Sequence, residues 1–439
     1  MRAAALIALA AAVLAPAVAP AASPQIEHWR TDNGARVYFV GTDALPIVDV
    51  RLVFDAGSAR DASHPGLARL ASSLLTEGTP KQDAGEIARG FERYGARLST
   101  GSKKDMAWLH LRSLSRPDAL DPTVDHLVDI LGQASFPEEA LDRVRQQMLV
   151  GLRRSLDRPG RVAESAFSRA LYRDHPYAHP PEGTPESVQA LERTQVVDFH
   201  RRLYVARNLV IAIVGDLDRA EAEAMAKRLA ASRPEGEAPP ELPPVPALNQ
   251  EHTEAVEFRS TQTHLLTGQP AVARRDPRYP ALYLINHVLG GGGLVSRLAE
   301  ELREKRGLSY SSYSYFAPAA AGGRFVMGTQ VRSDAAGEAL EVLHGTLERL
   351  YREGPTDEEL EAARRNITGA WPLNLDSNSD IVGQVAMIGF YELPLDYLES
   401  FPARIAALDR KAVMEAFREV IHPQRLVTLR LGPDPEASP

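Results

Sequence analysis

The chain has 439 residues, of which 44% are hydrophobic and 25% charged; this is globular composition and excludes a disordered chain. A net charge of −8 gives no reason to expect a nucleic-acid-binding surface. Cysteine is absent, which excludes disulfides, thiolate zinc sites, iron–sulfur clusters and a cysteine nucleophile.

Residues 1–21 have the order of a secretory signal. Arg2 precedes an apolar run that ends in small residues, and Ala19-Pro20-Ala21 fits the small-x-small rule, so cleavage after Ala21 is predicted. The run falls short of the roughly 20 residues of a membrane anchor. We expect export across the inner membrane to the periplasm, with no membrane insertion after cleavage.

The first half, residues 25–232, mixes strand and helix patterns. Apolar alternation and buried apolar runs predict strands at Ile47–Gly57, Arg97–Thr100, Met106–Leu114 and Asn208–Gly215. Helical spacing predicts helices at Pro65–Glu77, Pro117–Gly132, Pro137–Leu156, Val162–Tyr172 and Pro185–Arg202, and another from Arg219. The hairpin over residues 97–114 is a candidate edge for binding an extended peptide by strand addition.

A proline-rich segment at residues 233–249 predicts a stiff extended linker, because proline disrupts helices and central strands. The second half, residues 250–433, follows a similar plan. Its predicted strands are Gln262–Pro270, Ser309–Phe316, Arg324–Val331 and Arg425–Leu431. Its predicted helices are Tyr279–Leu289, Leu294–Arg306, Ala335–Glu353, Asp357–Trp371, Ile381–Tyr391 and Arg410–Val420, with a turn at Gly290–Gly293.

Three landmarks recur in order at an offset of about 220 residues, which indicates a duplicated domain of about 200 residues. They are Arg69–Leu74 with Arg297–Leu302, Leu141–Arg145 with Leu360–Arg364, and Leu209–Gly215 with Leu426–Gly432. The predicted fold class is α+β: two homologous domains, each an antiparallel-rich sheet with helices packed on one face.

Common catalytic motifs are missing. Neither His-Glu-x-x-His, His-x-x-Glu-His nor G-x-S-x-G occurs, and no Gly-Lys-Ser/Thr follows Gly290–Gly293. His175 and His179 are four residues apart, but the prolines around them break any helix, so a structural loop is predicted there.

The chain nevertheless resembles the pitrilysin/insulinase family of zinc peptidases, the inverzincins, and its mitochondrial-processing-peptidase branch. The residues that carry the resemblance are His64–Thr79, His175–Tyr177, Gly183–Ser187, Asn208–Asp216 and Gly292–Tyr310. The resemblance implies two α+β domains that form a half-shell, and two half-shells that close around a chamber for peptides.

The resemblance breaks down at the metal site. Active members carry H-x-x-E-H, in which the two histidines bind zinc and the glutamate polarises the metal-bound water. The corresponding positions here are Arg69, Ser72 and Ser73, and the third ligand position, a glutamate in active members, falls at or beside Val150. We therefore expect no zinc on this chain, and only His64 and Glu77 are nearby in sequence as other donors.

The second-half signature is intact. The resemblance implies that Arg303 and Tyr310 are the family's pair that reaches into the zinc site of an opposing domain and stabilises the developing oxyanion. Arg306 is the alternative for the arginine of this pair. The predicted helix and strand would hold both side chains on regular elements.

The resulting functional hypothesis is a zinc-free subunit of a two-component peptidase. A zinc-bearing homologous partner would supply the metal, and this chain would close the chamber on a peptide substrate and present Arg303 and Tyr310. The alternative is a catalytically inert structural or peptide-binding member of the same family.

Overall fold

The computed structural model describes residues 24–433, so the signal predicted at residues 1–21 lies outside the described part. The first half builds a six-stranded sheet and the second half a five-stranded sheet. The described part of the chain contains no helix that is both long and apolar enough to cross a membrane.

Residues 24–232 form six strands and eight α-helices. The strands are β1 (Glu27–Arg30), β2 (Arg36–Gly41), β3 (Ile47–Phe54), β4 (Arg97–Ser102), β5 (Ala107–Leu114) and β6 (Leu209–Gly215). The helices are α1 (Leu67–Leu74), α2 (Ala84–Glu92), α3 (Pro117–Gln133), α4 (Glu138–Leu156), α5 (Pro159–Tyr172), α6 (Pro185–Gln189), α7 (Arg193–Leu203) and α8 (Arg219–Ala231).

Residues 250–433 form five strands and seven α-helices, one of them a single turn. The strands are β7 (His252–Glu257), β8 (Gln262–Pro270), β9 (Ser312–Ala317), β10 (Arg324–Arg332) and β11 (Val427–Gly432). The helices are α9 (Tyr279–Asn286), α10 (Arg297–Ala299), α11 (Ala336–Glu353), α12 (Asp357–Ala370), α13 (Asn378–Phe390), α14 (Tyr397–Ala407) and α15 (Arg410–Val420).

Apart from the additional edge strand β1, the two sheets have the same strand order and directions. The first has the strand order β1-β2-β6-β3-β5-β4 and the second β7-β11-β8-β10-β9. In each, one parallel pair (β2 with β6, β7 with β11) adjoins antiparallel pairs. The shared strand order and strand directions are expected of a duplicated α+β domain. The predicted fold class is confirmed.

Each half lends a helix to the other. Besides its own helices, the first sheet is covered by α13, where Val385 packs against Val210. The second sheet is covered by α5, where Phe167 packs with Leu266 and Val427. Because each borrowed helix fills an apolar sheet face, separating the halves would expose both faces to water.

Polar contacts reinforce this junction. Buried Asp105 accepts hydrogen bonds from the hydroxyls of Tyr177 (2.5 Å) and Tyr391 (2.8 Å) and from the backbone N–H of Ala320 (2.9 Å). The proline-rich segment contains no helix or strand, and its Pro243 carbonyl bonds the ring of His175 at 2.8 Å.

The glycine-rich region departs from the prediction. Instead of a turn and one helix over residues 290–306, the chain forms a π-helical turn at His287–Gly291, a 3₁₀ turn at Gly293–Val295, α10, and a second π-helical turn at Glu300–Glu304. The predicted strand from residue 309 begins at residue 312. The hydroxyl of Ser309 donates hydrogen bonds to the carbonyls of Ser311 and Gln330. These side-chain contacts take the place of backbone hydrogen bonds between the start of β9 and the end of β10.

Candidate functional site

Helix α1 is held in place at its first turn. Gly66 precedes it with φ of +95°, a left-handed conformation that favours glycine, and the buried carboxylate of Asp61 accepts hydrogen bonds from the N–H groups of Gly66 (2.8 Å) and Ala68 (2.7 Å). Leu70 and Leu74 are fully buried beneath the helix. The opposite face of α1 is therefore presented in a fixed position.

That opposite face carries Arg69 and Ser73, two of the positions that the resemblance matches to the zinc ligands of active members. Arg69 and Ser73, four residues apart, line a groove of about 900 Å³ together with Gln147 and Gly151 of α4. Ser72 is fully buried, and its hydroxyl has no hydrogen-bond partner within residues 24–433.

The third ligand position was predicted at or beside Val150 on α4. Val150 itself is 44% exposed and does not line it, whereas the neighbouring Gly151 does. Helix geometry explains why Gly151 lines the groove and Val150 does not. One face of α4 carries the groove-lining residues Val144, Gln147, Met148 and Gly151.

These residues do not fit a zinc ion. Zinc takes thiolate, imidazole or carboxylate ligands, whereas the matching positions here hold the guanidinium of Arg69 and the hydroxyls of Ser72 and Ser73. Glu77 lies in the groove but pairs with Arg143. Across residues 24–433, no group of three or more His, Asp or Glu side chains is arranged to hold a metal.

The groove lining includes the cations Lys104 and Arg324, and Arg324 comes from the second half of the chain. Arg324 of β10 pairs with Glu164 and donates to the hydroxyls of Ser168 and Tyr315, each at 3.0 Å. Burial, with a smaller contribution from Arg324, lowers the pKa of Lys104 to about 8, so its ammonium form still predominates at pH 7.

Arg303 and Tyr310 are brought together outside the groove. The Arg303 guanidinium lies 4.9 Å from the centre of the Tyr310 ring, and Tyr310 is 84% exposed. Gly307, with φ of +61°, ends the helical segment between them, and Tyr310 lies just before β9 rather than on it. No carboxylate within residues 24–433 forms an ion pair with Arg303.

Arg306, the alternative arginine, is already engaged. Its guanidinium donates to the carboxylate (2.6 Å) and the backbone carbonyl (2.9 Å) of Glu301. Lys305 and Arg349 also pair with Glu301. Arg303 is thus the arginine whose hydrogen-bonding groups remain available.

Several groove residues were missed by sequence reasoning. Lys104, Arg324 and the segment 179–186 come from three distant parts of the chain, and His179, predicted only as part of a structural loop, lines the groove. No local pattern marks them, since their proximity depends on how α5 packs on the second sheet. Strand β4, the proposed peptide-binding edge, does lie at the edge of its sheet.

Comparison with known families gives two adjacent matches. Residues 37–184 match the model of insulinase, peptidase family M16, and residues 190–367 match the model described as the peptidase M16 inactive domain.

Individual relatives support the same assignment. An uncharacterized zinc protease of Mycobacterium leprae is 30% identical over 357 residues, 79% of this chain and 78% of the relative. A non-peptidase homolog of Helicobacter pylori is 24% identical over 84% of this chain and 85% of the relative. A crystal structure of a peptidase M16 inactive domain from Pseudomonas fluorescens has a TM-score of 0.90 and 39% identity, covering 93% of this chain and 98% of that chain.

Proposed function

Because the chain belongs to the insulinase family of peptidases, family M16, and is an inactive-type member of it, we propose that it is the zinc-free subunit of a two-component peptidase. In this proposal a homologous zinc-bearing subunit performs the hydrolysis. The present chain closes the peptide chamber against it. The signal predicted at residues 1–21 would place the complex in the periplasm.

The observation that carries the proposal is the contrast between two places in the chain. The zinc-binding positions hold groups that cannot bind zinc, whereas Arg303 and Tyr310 lie together, and Tyr310 is widely exposed. A guanidinium and a phenol are strong donors to a carbonyl oxygen that becomes negative during attack. Such donors are useful only beside a reacting carbonyl, which this chain cannot activate by itself.

The proposed role of the pair is therefore to act on the partner's site. When the half-shells close, Arg303 and Tyr310 donate hydrogen bonds to the scissile carbonyl oxygen of the peptide. Their stacking at 4.9 Å keeps both groups near one position before substrate arrives.

The experiment is reconstitution with the zinc-bearing homologue that co-purifies from the native host, followed by measurement of peptide turnover. Tyr310→Phe removes one hydroxyl and is expected to lower kcat about 10²–10³-fold, roughly 3–4 kcal/mol. Arg303→Lys is expected to be nearly as harmful, because an ammonium cannot reproduce the planar fork. Assembly and the zinc content of the complex should not change.

Matched controls come from exposed residues of the same types. Tyr283→Phe on α9 and Arg365→Ala on α12 should leave turnover close to that of the wild type. Wild-type turnover in both Tyr310→Phe and Arg303→Ala would contradict a catalytic contribution and favour an inert scaffold. Failure to form a complex with any zinc-bearing homologue would contradict the two-component arrangement itself.

A further inference from the structure

The groove beside α1 has more positive charge than its own carboxylates neutralise. Its cationic side chains are Arg69, Lys104, Arg161, Arg169 and Arg324, and its acidic ones are Glu77, Glu164, Glu182 and Glu186. Three of these carboxylates are already in ion pairs: Glu182 with Arg161 at 3.1 Å, Glu164 with Arg324, and Glu77 with Arg143 outside the groove.

The fourth carboxylate, Glu186, is satisfied locally. It lies in the first turn of α6, where hydrogen bonding to the backbone N–H groups at the helix start lowers its pKa. Within residues 24–433 this leaves Arg69, Lys104 and Arg169 without an ion-pair partner.

Lys104 is the most constrained of these cations. Its ammonium donates to the Tyr177 carbonyl at 2.7 Å and lies 4.7 Å and 5.2 Å from the ring centres of Tyr172 and Tyr177. A fixed ammonium that is largely removed from water, with no carboxylate bound to it, gains strongly from an anionic ligand.

The groove also has an apolar wall. Val144, Met148 and Leu152 follow at intervals of four residues along α4 and line one side. A volume of about 900 Å³ lies within the usual range for ligand sites, and an apolar wall beside fixed charges suits a peptide segment that carries a carboxylate.

We propose that this groove binds a carboxylate of a peptide, with Arg69, Lys104 and Arg169 as its cationic partners, at the place where catalytic relatives hold a metal. The charge preference is therefore the opposite of that in catalytic relatives: they bind a dication at this position, and this chain binds an anion. The carboxylate is either the C-terminus of the peptide or an acidic side chain. The inference does not depend on the proposed partner subunit, because it concerns the isolated chain.

The test measures binding of four rhodamine-labelled ten-residue peptides to the isolated chain by fluorescence anisotropy. The peptides share an Ala/Leu/Ser sequence and differ only at the last residue, which is Glu or Gln with a free or amidated C-terminus. We expect the peptide without any carboxylate to bind about ten-fold more weakly or worse than the Glu peptide with a free C-terminus. The two intermediate peptides identify which carboxylate is bound.

Gly151 offers a way to change the groove without disturbing the fold. It is helical and exposed, and a Cβ at this position meets nothing within 4 Å. Gly151→Glu should weaken binding of the Glu peptide with a free C-terminus about ten-fold, and Gly151→Lys should strengthen it. Gly345→Glu, at an equally open helical position on α11, is the matched control and should have no effect.

Lys104→Met is the direct variant and should abolish most of the preference for a carboxylate. Should Lys104→Met fail to fold, the Gly151 pair still decides the question. Equal affinity for all four peptides, no rise in anisotropy at the highest protein concentration reached, or equal effects of Gly151→Glu and Gly151→Lys would each overturn the proposal. Loss of activity in the reconstituted complex alone would bear on the partner hypothesis and not on this one.

Discussion

The ion cluster around Glu301 gives a prediction whose size follows from the structure. Glu301 is 6% exposed and accepts hydrogen bonds from Arg306 (2.6 Å) and Lys305 (3.0 Å), with Arg349 at 3.2 Å. Burial alone would raise the pKa of Glu301, but these hydrogen bonds and charges outweigh burial and lower the pKa from 4.5 to about 2.

A pKa lowered by folding means that the ionised form stabilises the folded state. This stabilisation is fully present above about pH 4.5 and is lost as the pH falls toward 2. The difference between pKa 4.5 and about 2 corresponds to about 3 kcal/mol. We therefore expect Glu301→Gln to lower the free energy of unfolding by roughly 2–3 kcal/mol at pH 7.

The assay is urea denaturation of wild type and Glu301→Gln between pH 7 and pH 3. The difference in unfolding free energy should shrink as the pH falls below about 4.5, because Glu301 of the unfolded wild-type chain then binds a proton while the folded chain keeps the residue ionised. Glu300→Gln is the matched control; Glu300 is half-exposed and pairs with Lys305, so its loss should cost less than about 1 kcal/mol. A difference that stays constant over this pH range would refute the assigned role of the Glu301 charge.

Four further outcomes are expected. Gly307→Ala should destabilise the protein by about 1 kcal/mol in thermal unfolding, because φ of +61° strains any residue with a Cβ. Asp105→Asn should cost about 1–3 kcal/mol and separate the unfolding of the halves in calorimetry, since an amide cannot accept all three of its hydrogen bonds. Ser72→Ala should be neutral or stabilising in urea denaturation, because the buried hydroxyl has no partner in the described chain. The triple variant Arg69→His, Ser72→Glu, Ser73→His should still contain no stoichiometric zinc by metal analysis, since neither Val150 nor its neighbours in residues 147–151 supply an acidic third ligand.

The sequence predicted best those elements whose pattern is decided locally. Helix α15 and strand β8 have the bounds predicted for them, and in α15 the apolar residues recur at the spacing of one helical face. Strands β1, β2 and β7 and helices α2 and α14 were not predicted. Strands β1 and β7 are polar edge strands, EHWR and HTEAVE, and only pairing with β2 and β11 makes them extended.

The π-helical turns could not be predicted from the sequence, because the apolar period of 3.6 residues identifies only regular α-helices. Such a turn accommodates one additional residue, and its stability depends on what surrounds it. Around Glu300–Glu304 the buried carboxylate of Glu301 and its three cationic partners provide that environment. The positions of Arg303 and Tyr310 relative to each other therefore depend on tertiary contacts, although both residues were identified from the sequence.

Comparison of the two duplicated halves distinguishes residues that stabilise the fold from residues at the predicted metal site. In α4, Arg145 pairs with Asp142 and donates to the carbonyl of Leu191; in α12, Arg364 pairs with Glu361 and donates to the carbonyl of Leu408. Both halves thus contain the same arginine contacts, one with an acidic side chain and one with a backbone carbonyl. On α1 the core-facing leucines are likewise kept, while the groove face carries Arg69 and Ser73. Because metal ligands and core contacts lie on opposite faces of one helix, the ligands can be absent without loss of the fold, and the vacated face is free to acquire a different charge preference.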